Sequence, residues 1–153
     1  MSRRDQITMS PAEVSSFLDE ERVVICASHG PHGWPHLMPL WYLVRDGEVW
    51  AWSYAKSQKV RNLERDARAT LQVEAGDEYQ ELRGVMVEAE TVIHRDEAQT
   101  IRFGVELFTR YGGEAAGAAA EEMVRAQAAK RVLLQFKPRR TASFDHRKLG
   151  GVY

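Results

Sequence analysis

The sequence predicts a β-rich α+β fold, in which short antiparallel strands form a barrel or a sandwich flanked by helices. Apolar runs of strand length are separated by turns that contain Gly, Pro or Asp-Gly. Only a few segments show the three-to-four-residue apolar spacing of an amphipathic helix. Several strands follow one another without a long intervening helix, which disfavours a parallel βαβ arrangement.

The first half of the chain is predicted to be a helix followed by three strands. Ser10-Pro11-Ala12-Glu13 indicates a helix start, with Ser at the N-cap, Pro in the first turn and Glu three residues after the cap. A Gly- and Pro-rich turn over residues 29–35 separates the first two strands, and Asp46-Gly47 indicates a tight hairpin before the third. The strands are expected over residues 22–28, 36–44 and 49–54.

A short helix, a strand and a long extended run come next. The helix is expected over residues 57–65, with Val60 and Leu63 facing inward. The strand covers residues 69–73, and the extended run covers residues 79–94. This order continues the meander of strands begun in the first half.

Two helices, a strand and a tail are predicted for the remainder. Asp96 is expected to cap a helix that ends at Gly112-Gly113 and carries Ile101, Val105 and Phe108 on its apolar face. An Ala-rich helix over residues 114–129 and a last strand over residues 131–137 precede a polar tail, residues 139–153. With 153 residues and no internal repeat, a single domain over residues 1–153 is expected.

Charge and cysteine content exclude several classes of protein. The net charge of -1 lacks the basic excess typical of a nucleic-acid-binding protein. No segment reaches the length of a membrane-spanning helix, so no membrane partner is expected. Cys26 is the single cysteine, which excludes an intramolecular disulfide and a Cys-based zinc site. Its apolar neighbours predict a buried, inert thiol, and a reducing cytoplasm is the expected location.

The strongest functional signal lies after the third predicted strand. A helix that begins at Ser57 presents free backbone N–H groups, and these combine with the helix dipole to form a site for an anion. Such a site suits a phosphate or a carboxylate, because it joins directional donors to positive charge. The alternative is a solvated helix start, with Glu64 and Asp66 balancing the cations. The cations in this turn are Lys56, Lys59 and Arg61.

Other residue types form no catalytic pattern. His29, His32 and His36 lie in or beside a Pro-containing turn without a carboxylate at ligand spacing, which indicates turn histidines and no metal site. The aromatic residues Trp41, Trp50 and Trp52 are either core residues or walls of a pocket for a flat ring. No nucleophile elbow, Walker loop or dinucleotide-binding motif is present. If the protein is an enzyme, a cofactor is therefore expected to carry the reaction.

Four segments together resemble the pyridoxamine 5'-phosphate oxidase-like split β-barrel proteins, in particular the actinobacterial branch of flavin- and deazaflavin-dependent oxidoreductases. The segments are GWPHLMPLWY at residues 33–42, KVRNLERD at residues 59–66, the strand at residues 69–74 and KRVL at residues 130–133. The resemblance covers residues 10–137. It implies a six- to seven-stranded antiparallel split β-barrel with flanking helices.

The resemblance also implies a homodimer with two cofactor sites at the subunit interface. The partner subunit is expected to contribute Tyr79 and neighbouring residues, and also Lys130 and Arg131. In many relatives an Arg stands at the position of Ser57, which implies one weaker phosphate contact. The flavin-like ring is expected against the backbone of Met38, Pro39, Leu40 and Trp41, and the phosphate against Lys56, Ser57, Gln58, Lys59 and Arg61.

The function implied is that of an oxidoreductase that uses reduced deazaflavin, coenzyme F-420, to transfer a hydride to a conjugated small molecule. The alternatives are an FMN-dependent oxidoreductase and a non-catalytic flavin- or tetrapyrrole-binding protein on the same barrel. The deazaflavin carries an anionic tail of several glutamates, for which Arg61, Arg65 and Arg68 are candidate partners. Oxidation of pyridoxamine phosphate is disfavoured, because no second set of phosphate-binding cations is evident.

Overall fold

Seven antiparallel strands form one curled sheet with five α-helices around it, in the part of the chain that the structure describes, residues 1–151. The structure is a computed structural model. The helices are α1 (Arg3–Ile7), α2 (Pro11–Glu20), α3 (Gln58–Arg65), α4 (Glu97–Gly112) and α5 (Glu114–Ala128). The strands are β1 (Val24–His29), β2 (Pro35–Leu40), β3 (Leu43–Arg45), β4 (Glu48–Tyr54), β5 (Arg68–Ala75), β6 (Arg83–His94) and β7 (Arg131–Asp145). Two short 3-10 helices cover Tyr79–Glu81 and His146–Leu149.

The sheet curls because one extended segment supplies both of its edges. The strand order is β2-β1-β5-β6-β7-β4-β3, and all neighbours are antiparallel. β2 and β3 occupy opposite ends of this order, yet only Trp41 and Tyr42 separate them in the chain. The sheet must therefore bend round until its two edges meet at this segment. The predicted six- to seven-stranded antiparallel split β-barrel with flanking helices is confirmed, with seven strands.

The strand predicted over residues 36–44 is broken in the structure at Trp41 and Tyr42. The backbone N–H of Tyr42 donates to the hydroxyl of Tyr111 at 3.1 Å, so it is not free for a neighbouring strand. The Tyr42 side chain is fully buried, and its hydroxyl donates to the carbonyl of Leu18 at 2.6 Å. These contacts with α2 and α4 stabilise the bend between β2, which pairs with β1, and β3, which pairs with β4.

The prediction that the last strand ends at residue 137 and gives way to a tail was wrong. β7 continues to Asp145, because the twelve residues of β6 offer it a partner along their whole length. The pairing register shifts between Glu88 and Ala89, which lies opposite Pro138. A bulge tolerates proline, since no ladder hydrogen bond is needed from its nitrogen. Residues 152 and 153, the end of the predicted tail, lie outside the described residues.

Two apolar cores lie on opposite faces of the sheet. The inner face of the barrel buries alternate strand residues such as Val24 and Cys26. The outer face of β4 and β7 packs against α4 and α5 around Trp52 and Phe103. The predicted helix capped by Asp96 is confirmed, but its deepest face carries Phe103, Gly104 and Leu107. The expected Ile101, Val105 and Phe108 are only partly buried beside it.

The helix starts follow local sequence signals. Ser10 and Glu13 form the predicted capping box of α2. Sequence reasoning missed α1, although Ser2 and Asp5 form a capping box of the same kind. Part of the extended run expected from residue 79 is a 3-10 turn, and β6 begins at Arg83. None of the described helices has both the length and the apolar character needed to span a membrane.

Candidate functional site

The candidate site is centred on the start of α3, where the chain leaves β4. Ser57 occupies the N-cap position, but its side chain makes no capping hydrogen bond. Its hydroxyl lies instead 3.1 Å from that of Ser53. Within the described part of the chain, no side chain accepts a hydrogen bond from the N–H groups of Gln58, Lys59 and Val60 in the first turn, and these groups have no intrahelical acceptor. The start of α3 is open to an anion.

Lys59 points into the barrel and is buried, with 8% of its surface exposed. Its ammonium donates to the Ser53 hydroxyl at 2.9 Å, although an ammonium carries three donors. Burial lowers the pKa of Lys59, and the nearby charge of Arg131 lowers it further, while Cys26 acts in the opposite direction. A buried cation with one neutral partner is costly. An anion bound here would supply acceptors for it.

Exposed cations surround this opening. Lys56 and Arg61 are exposed on either side of the first turn of α3. Lys130 is exposed too, and its carbonyl accepts a hydrogen bond from the Ala55 N–H at 2.9 Å. The contribution of Lys130 to the site of a partner subunit, which the resemblance implies, stays a prediction. In its own chain, the register of β4 and β7 places Lys130 beside the start of α3.

Arg131 lies opposite Tyr54 at the start of β7, and its charge acts on the pKa of Lys59. Its guanidinium lies 4.4 Å from the ring centre of Trp52 and 4.1 Å from that of Tyr54. One terminal nitrogen donates to the Gln127 side chain at 3.0 Å. The Nε atom is buried without a hydrogen-bond partner among the described residues. Because these contacts hold the side chain in place, Arg131 contributes charge and a rigid surface.

The predicted ring-binding segment, Met38–Trp41, approaches the same interior. In the pairing of β1 and β2, Met38 lies opposite Cys26, so the two side chains share the inner face of the barrel. Met38 remains 41% exposed at the rim. The charge of Lys59 acts on the pKa of Cys26, so Lys59 faces this same part of the interior. The outer face of β2 carries Pro39 together with Leu37.

Trp41 is the best placed of the three candidate tryptophans to contact a ligand. It is 46% exposed and stacks on Tyr111, with ring centres 4.3 Å apart and planes at 11°. Trp52 is buried beneath α4, and Trp50 stacks on His94 with ring centres 5.2 Å apart. The structure therefore makes Trp52 a core residue and leaves Trp41 as a fixed ring at the end of β2.

Sequence reasoning missed a polar network beside Lys59. The Asn62 amide donates to the Ser28 hydroxyl at 3.1 Å and accepts from Gln58 at 2.8 Å. Asn62 and Ser28 are both buried. Two features of the sequence could have indicated this network. Asn62 stands three residues after Lys59 and therefore lies on the same face of the helix. Ser53 follows Trp52 in β4, so the two side chains point to opposite faces of the sheet, and that of Ser53 points to the inner face. Gln58, predicted to contact phosphate, is engaged in this network.

Two of the three arginines expected to bind an anionic tail already have partners. Arg65 donates to the carbonyl of His29 at 2.7 Å, and Arg68 makes a two-point contact with the Asp66 carboxylate at 3.0 and 2.7 Å. Within residues 1–151, Arg61 makes no ion pair. It is therefore the available cation of this group.

Tyr79 lies at the opposite end of the sheet from the start of α3. The start of α3 follows β4, whose last residue, Tyr54, pairs with Arg131 at the start of β7. The Tyr79 turn contacts His146, directly after the end of β7. The 15 residues of β7 therefore lie between the two positions, at about 3.3 Å per residue. Tyr79 therefore does not reach the Lys59 cluster of its own chain. It is 62% exposed.

The histidines and the cysteine do not form a metal site in the described part of the chain. No group of three or more His, Cys, Asp and Glu residues within it is arranged to hold a metal ion. His29 is exposed and lies 3.9 Å from the Asp66 carboxylate. Cys26 is fully buried, and burial raises the pKa of its thiol to about 12. The predicted burial of this thiol is confirmed.

The curled sheet defines the class of the molecule as a split β-barrel protein. The profile of the family described as Pyridoxamine 5'-phosphate oxidase matches residues 10–144. The chain therefore belongs to the pyridoxamine 5'-phosphate oxidase-like family, which includes flavin-dependent oxidoreductases.

Solved structures agree with this assignment. The conserved hypothetical protein Rv2991 from Mycobacterium tuberculosis is 41% identical, with a TM-score of 0.89 over 100% of this chain and 95% of that chain. An F420 reductase is 23% identical, with a TM-score of 0.63 over 83% of this chain and 94% of that chain. A FAD-binding protein from Mesorhizobium loti is 18% identical, with a TM-score of 0.62 over 89% and 93% of the two chains. The last two show similarity of fold alone. No curated protein matches the sequence.

Proposed function

We propose that this protein is an oxidoreductase that uses a reduced deazaflavin, coenzyme F-420, to transfer a hydride to a conjugated small molecule. The observation that carries the proposal is the buried ammonium of Lys59, beside the uncapped start of α3. Among residues 1–151, its one hydrogen bond is to the neutral hydroxyl of Ser53. A cofactor phosphate would satisfy both the ammonium and the free N–H groups. The similar F420 reductase and FAD-binding protein support a flavin-type cofactor.

Each part of the site has a role in this proposal. When bound, the deazaflavin would supply the hydride. Lys59, Ser57 and the first N–H groups of α3 would hold its phosphate, and the backbone of Met38–Trp41 would support its ring. The exposed face of Trp41 would orient a planar acceptor and exclude water. None of these roles requires a side chain that gains or loses a proton.

The proposal includes a homodimer, because one chain does not bring together all the predicted residues. Tyr79 lies at the far end of the sheet, so it would join the site only from a second copy. Strand β2 carries exposed apolar side chains on its outer face, including Leu37, which is 57% exposed. Contact with a second copy would cover them. A cytoplasmic location, inferred from the lone buried cysteine, completes the proposal.

FMN is the alternative cofactor, and one observation favours it. Arg65 and Arg68 already have partners, which leaves Arg61 as the free cation for an anionic tail. FMN ends at its phosphate and needs no such partners. A non-catalytic flavin- or tetrapyrrole-binding protein is the alternative from another class. Binding of reduced cofactor without turnover of enones or quinones would favour it.

Titration of the purified protein with coenzyme F-420 and with FMN tests the proposal. We expect tight binding of the deazaflavin and its oxidation when an enone is added. Micromolar or tighter FMN binding with no deazaflavin binding would overturn the choice of cofactor. Binding should also weaken as the pH rises through the lowered pKa of Lys59, because the uncharged amine no longer attracts the phosphate.

The Lys59→Met variant tests the phosphate site directly. Charge-assisted hydrogen bonds contribute about 1.5–3 kcal/mol, so we expect about 10- to 100-fold weaker cofactor binding. The ligand-free variant should melt no lower than the wild type, because the substitution removes a buried charge that has one partner. Lys137→Met, at an exposed position on β7, is the matched control. Unchanged binding by Lys59→Met would place the phosphate elsewhere.

A further inference from the structure

The C-terminal 3-10 helix, His146–Leu149, is here called the strap, and it packs against the Tyr79 turn, Tyr79–Glu81. The Nδ1 atom of His146 lies 2.8 Å from the carbonyl oxygen of Tyr79. A carbonyl only accepts, so Nδ1 carries the proton in this contact. The backbone N–H of His146 donates to the carbonyl of Leu82 at 3.0 Å. His146 thus contacts both Tyr79, the first residue of the turn, and Leu82, the residue directly after the turn.

Aromatic rings add to this attachment. The His146 ring contacts the rings of Tyr79 and Phe144, with centres 4.7 Å and 5.3 Å apart. Phe144 lies directly over Gly84, where a Cβ atom would come within 2.5 Å of the ring. Gly84 therefore allows Phe144 to lie flat against β6. The rings connect the Tyr79 turn to the end of β7.

The strap is itself anchored to the N-terminal helices. The ammonium of Lys148 donates to the Thr8 carbonyl at 2.9 Å and to the Glu13 carboxylate at 2.7 Å. At the start of the strap, the buried Asp145 accepts three hydrogen bonds from Arg147, at 2.7 to 3.0 Å. The strap therefore links the Tyr79 turn to β7 and to the segment between α1 and α2.

We propose that the strap is a positioning device, in which His146 holds the Tyr79 turn in the conformation that completes the cofactor site of a second copy. This inference rests on the proposed function, in which Tyr79 joins the site of the other chain. The turn is exposed and follows Gly76, whose φ of 103° is in a region that favours glycine. Without the strap, the turn would have to be ordered on binding, which costs conformational entropy. His146 acts through Tyr79 and is a positioning residue.

The test compares chains that end at Asp145 and at Leu149. The first lacks the strap, whereas the second keeps it and lacks only residues 150–153. Hydrogen exchange of the amides at residues 79–82 measures the order of the turn, and titration with FMN and coenzyme F-420 measures cofactor affinity. We expect exchange at least tenfold faster and binding about tenfold weaker in the chain ending at Asp145. The comparison is with the chain ending at Leu149, from which the chain ending at Asp145 differs only in the strap.

Truncation at Asp145 also removes the contacts of Lys148 with Thr8 and Glu13. Point variants of His146 keep those contacts and test the contacts of His146 alone. His146→Ala should reproduce the effect of the shorter chain. His146→Asn retains a donor at the Nδ1 position, whereas His146→Phe retains only the ring, so we expect Asn to restore more of the exchange protection.

Two results would overturn the inference: wild-type exchange at residues 79–82 without the strap, or faster exchange with unchanged cofactor affinity. Absence of binding by the full chain would overturn the proposed function and the positioning role with it. The exchange measurement would then still report on the contact between strap and turn, so the two failures are distinguishable.

Discussion

At the scale of single residues, two aspartates make the same contact in different surroundings. Asp66 and Asp145 each accept three hydrogen bonds from the arginine two positions later, from its backbone N–H and two guanidinium nitrogens. The Asp145 side chain is 8% exposed and that of Asp66 is 26% exposed. Hydrogen bonds from the arginine hold the pKa of each carboxyl below its usual range.

We predict that Asp145→Asn lowers the free energy of unfolding by about 1–3 kcal/mol at neutral pH, because it weakens buried, charge-assisted hydrogen bonds. Asp66→Asn should change stability little, because water replaces the lost contacts. The folded-state pKa of Asp145 is lowered from 3.8, so its contribution is complete above that value and is lost as the pH falls through the folded pKa. Denaturant unfolding between pH 7 and pH 2 measures both effects. Equal effects of the two substitutions would contradict the role given to burial.

The burial of Lys59 shows that the type of a residue does not determine the direction of its side chain. The sequence neighbours of Lys59 predicted a phosphate ligand at the start of a helix and did not give the direction of its side chain, which is buried against Ser53. The direction of a helical side chain depends on how the helix is rotated against its neighbours. The rotation of α3 also buries Val60 and Leu63, as the periodicity predicted.

At the scale of elements, Gly104 allows the close packing of α4 against α5 and the sheet. A Cβ atom on Gly104 would lie 2.6 Å from a methyl carbon of Val124 and 2.7 Å from the ring of Trp52. The missing side chain allows α4 to approach both α5 and β4. The helical spacing of Ile101, Val105 and Phe108 predicted that a different face of α4 is the buried one. The face that contains Gly104 was missed because a glycine adds no apolar residue to the pattern.

We predict that Gly104→Ala lowers the free energy of unfolding, even though alanine is the better helix former by about 1 kcal/mol. The added methyl group would clash with two packed side chains, and overpacking costs about 1–3 kcal/mol. Urea unfolding measures the change. Ala118→Gly, at an exposed position of α5, calibrates the effect of helix propensity alone. Stabilisation by Gly104→Ala would show that the two helices can move apart at no cost.

At the scale of the whole molecule, the outer face of β2 carries exposed apolar side chains that the proposed dimer would bury. Leu37 lies on this face opposite Ala27 and is 57% exposed. Burial of a leucine side chain contributes about 1.5–3 kcal/mol, and a symmetric interface would bury two of them.

We predict that Leu37→Lys raises the dissociation constant of the dimer at least about 100-fold while leaving the fold intact, since the side chain is exposed within one chain. Sedimentation over a range of concentrations measures this constant. Met123→Lys, at a position of α5 that is 42% exposed, is the control and should leave it unchanged. A monomeric wild-type protein, or a dimer unaffected by Leu37→Lys, would contradict the proposed assembly.

Local patterns predicted most of the fold and located the turn that carries the candidate site. The capping box at Ser10, the cap at Asp96 and the Asp-Gly hairpin depend on neighbours in the chain, and the structure contains all three. Long-range contacts caused the errors. Tyr111 and Leu18 hold Tyr42 at the bend between β2 and β3, and β6 carries β7 beyond Pro138.

By itself, the sequence determined the class of fold and the turn that carries the candidate site, because strand alternation, helix caps and the spacing of Lys56, Lys59 and Arg61 are local properties of the chain. The family followed from the four segments that resemble it. Only the tertiary structure decided that Lys59 faces the barrel interior with Ser53, that Lys130 lies beside α3 of its own chain, and that Tyr79 lies at the far end of the sheet. These facts depend on strand register and on the curl of the sheet. Both are set by packing between residues far apart in the chain, which a local pattern does not record.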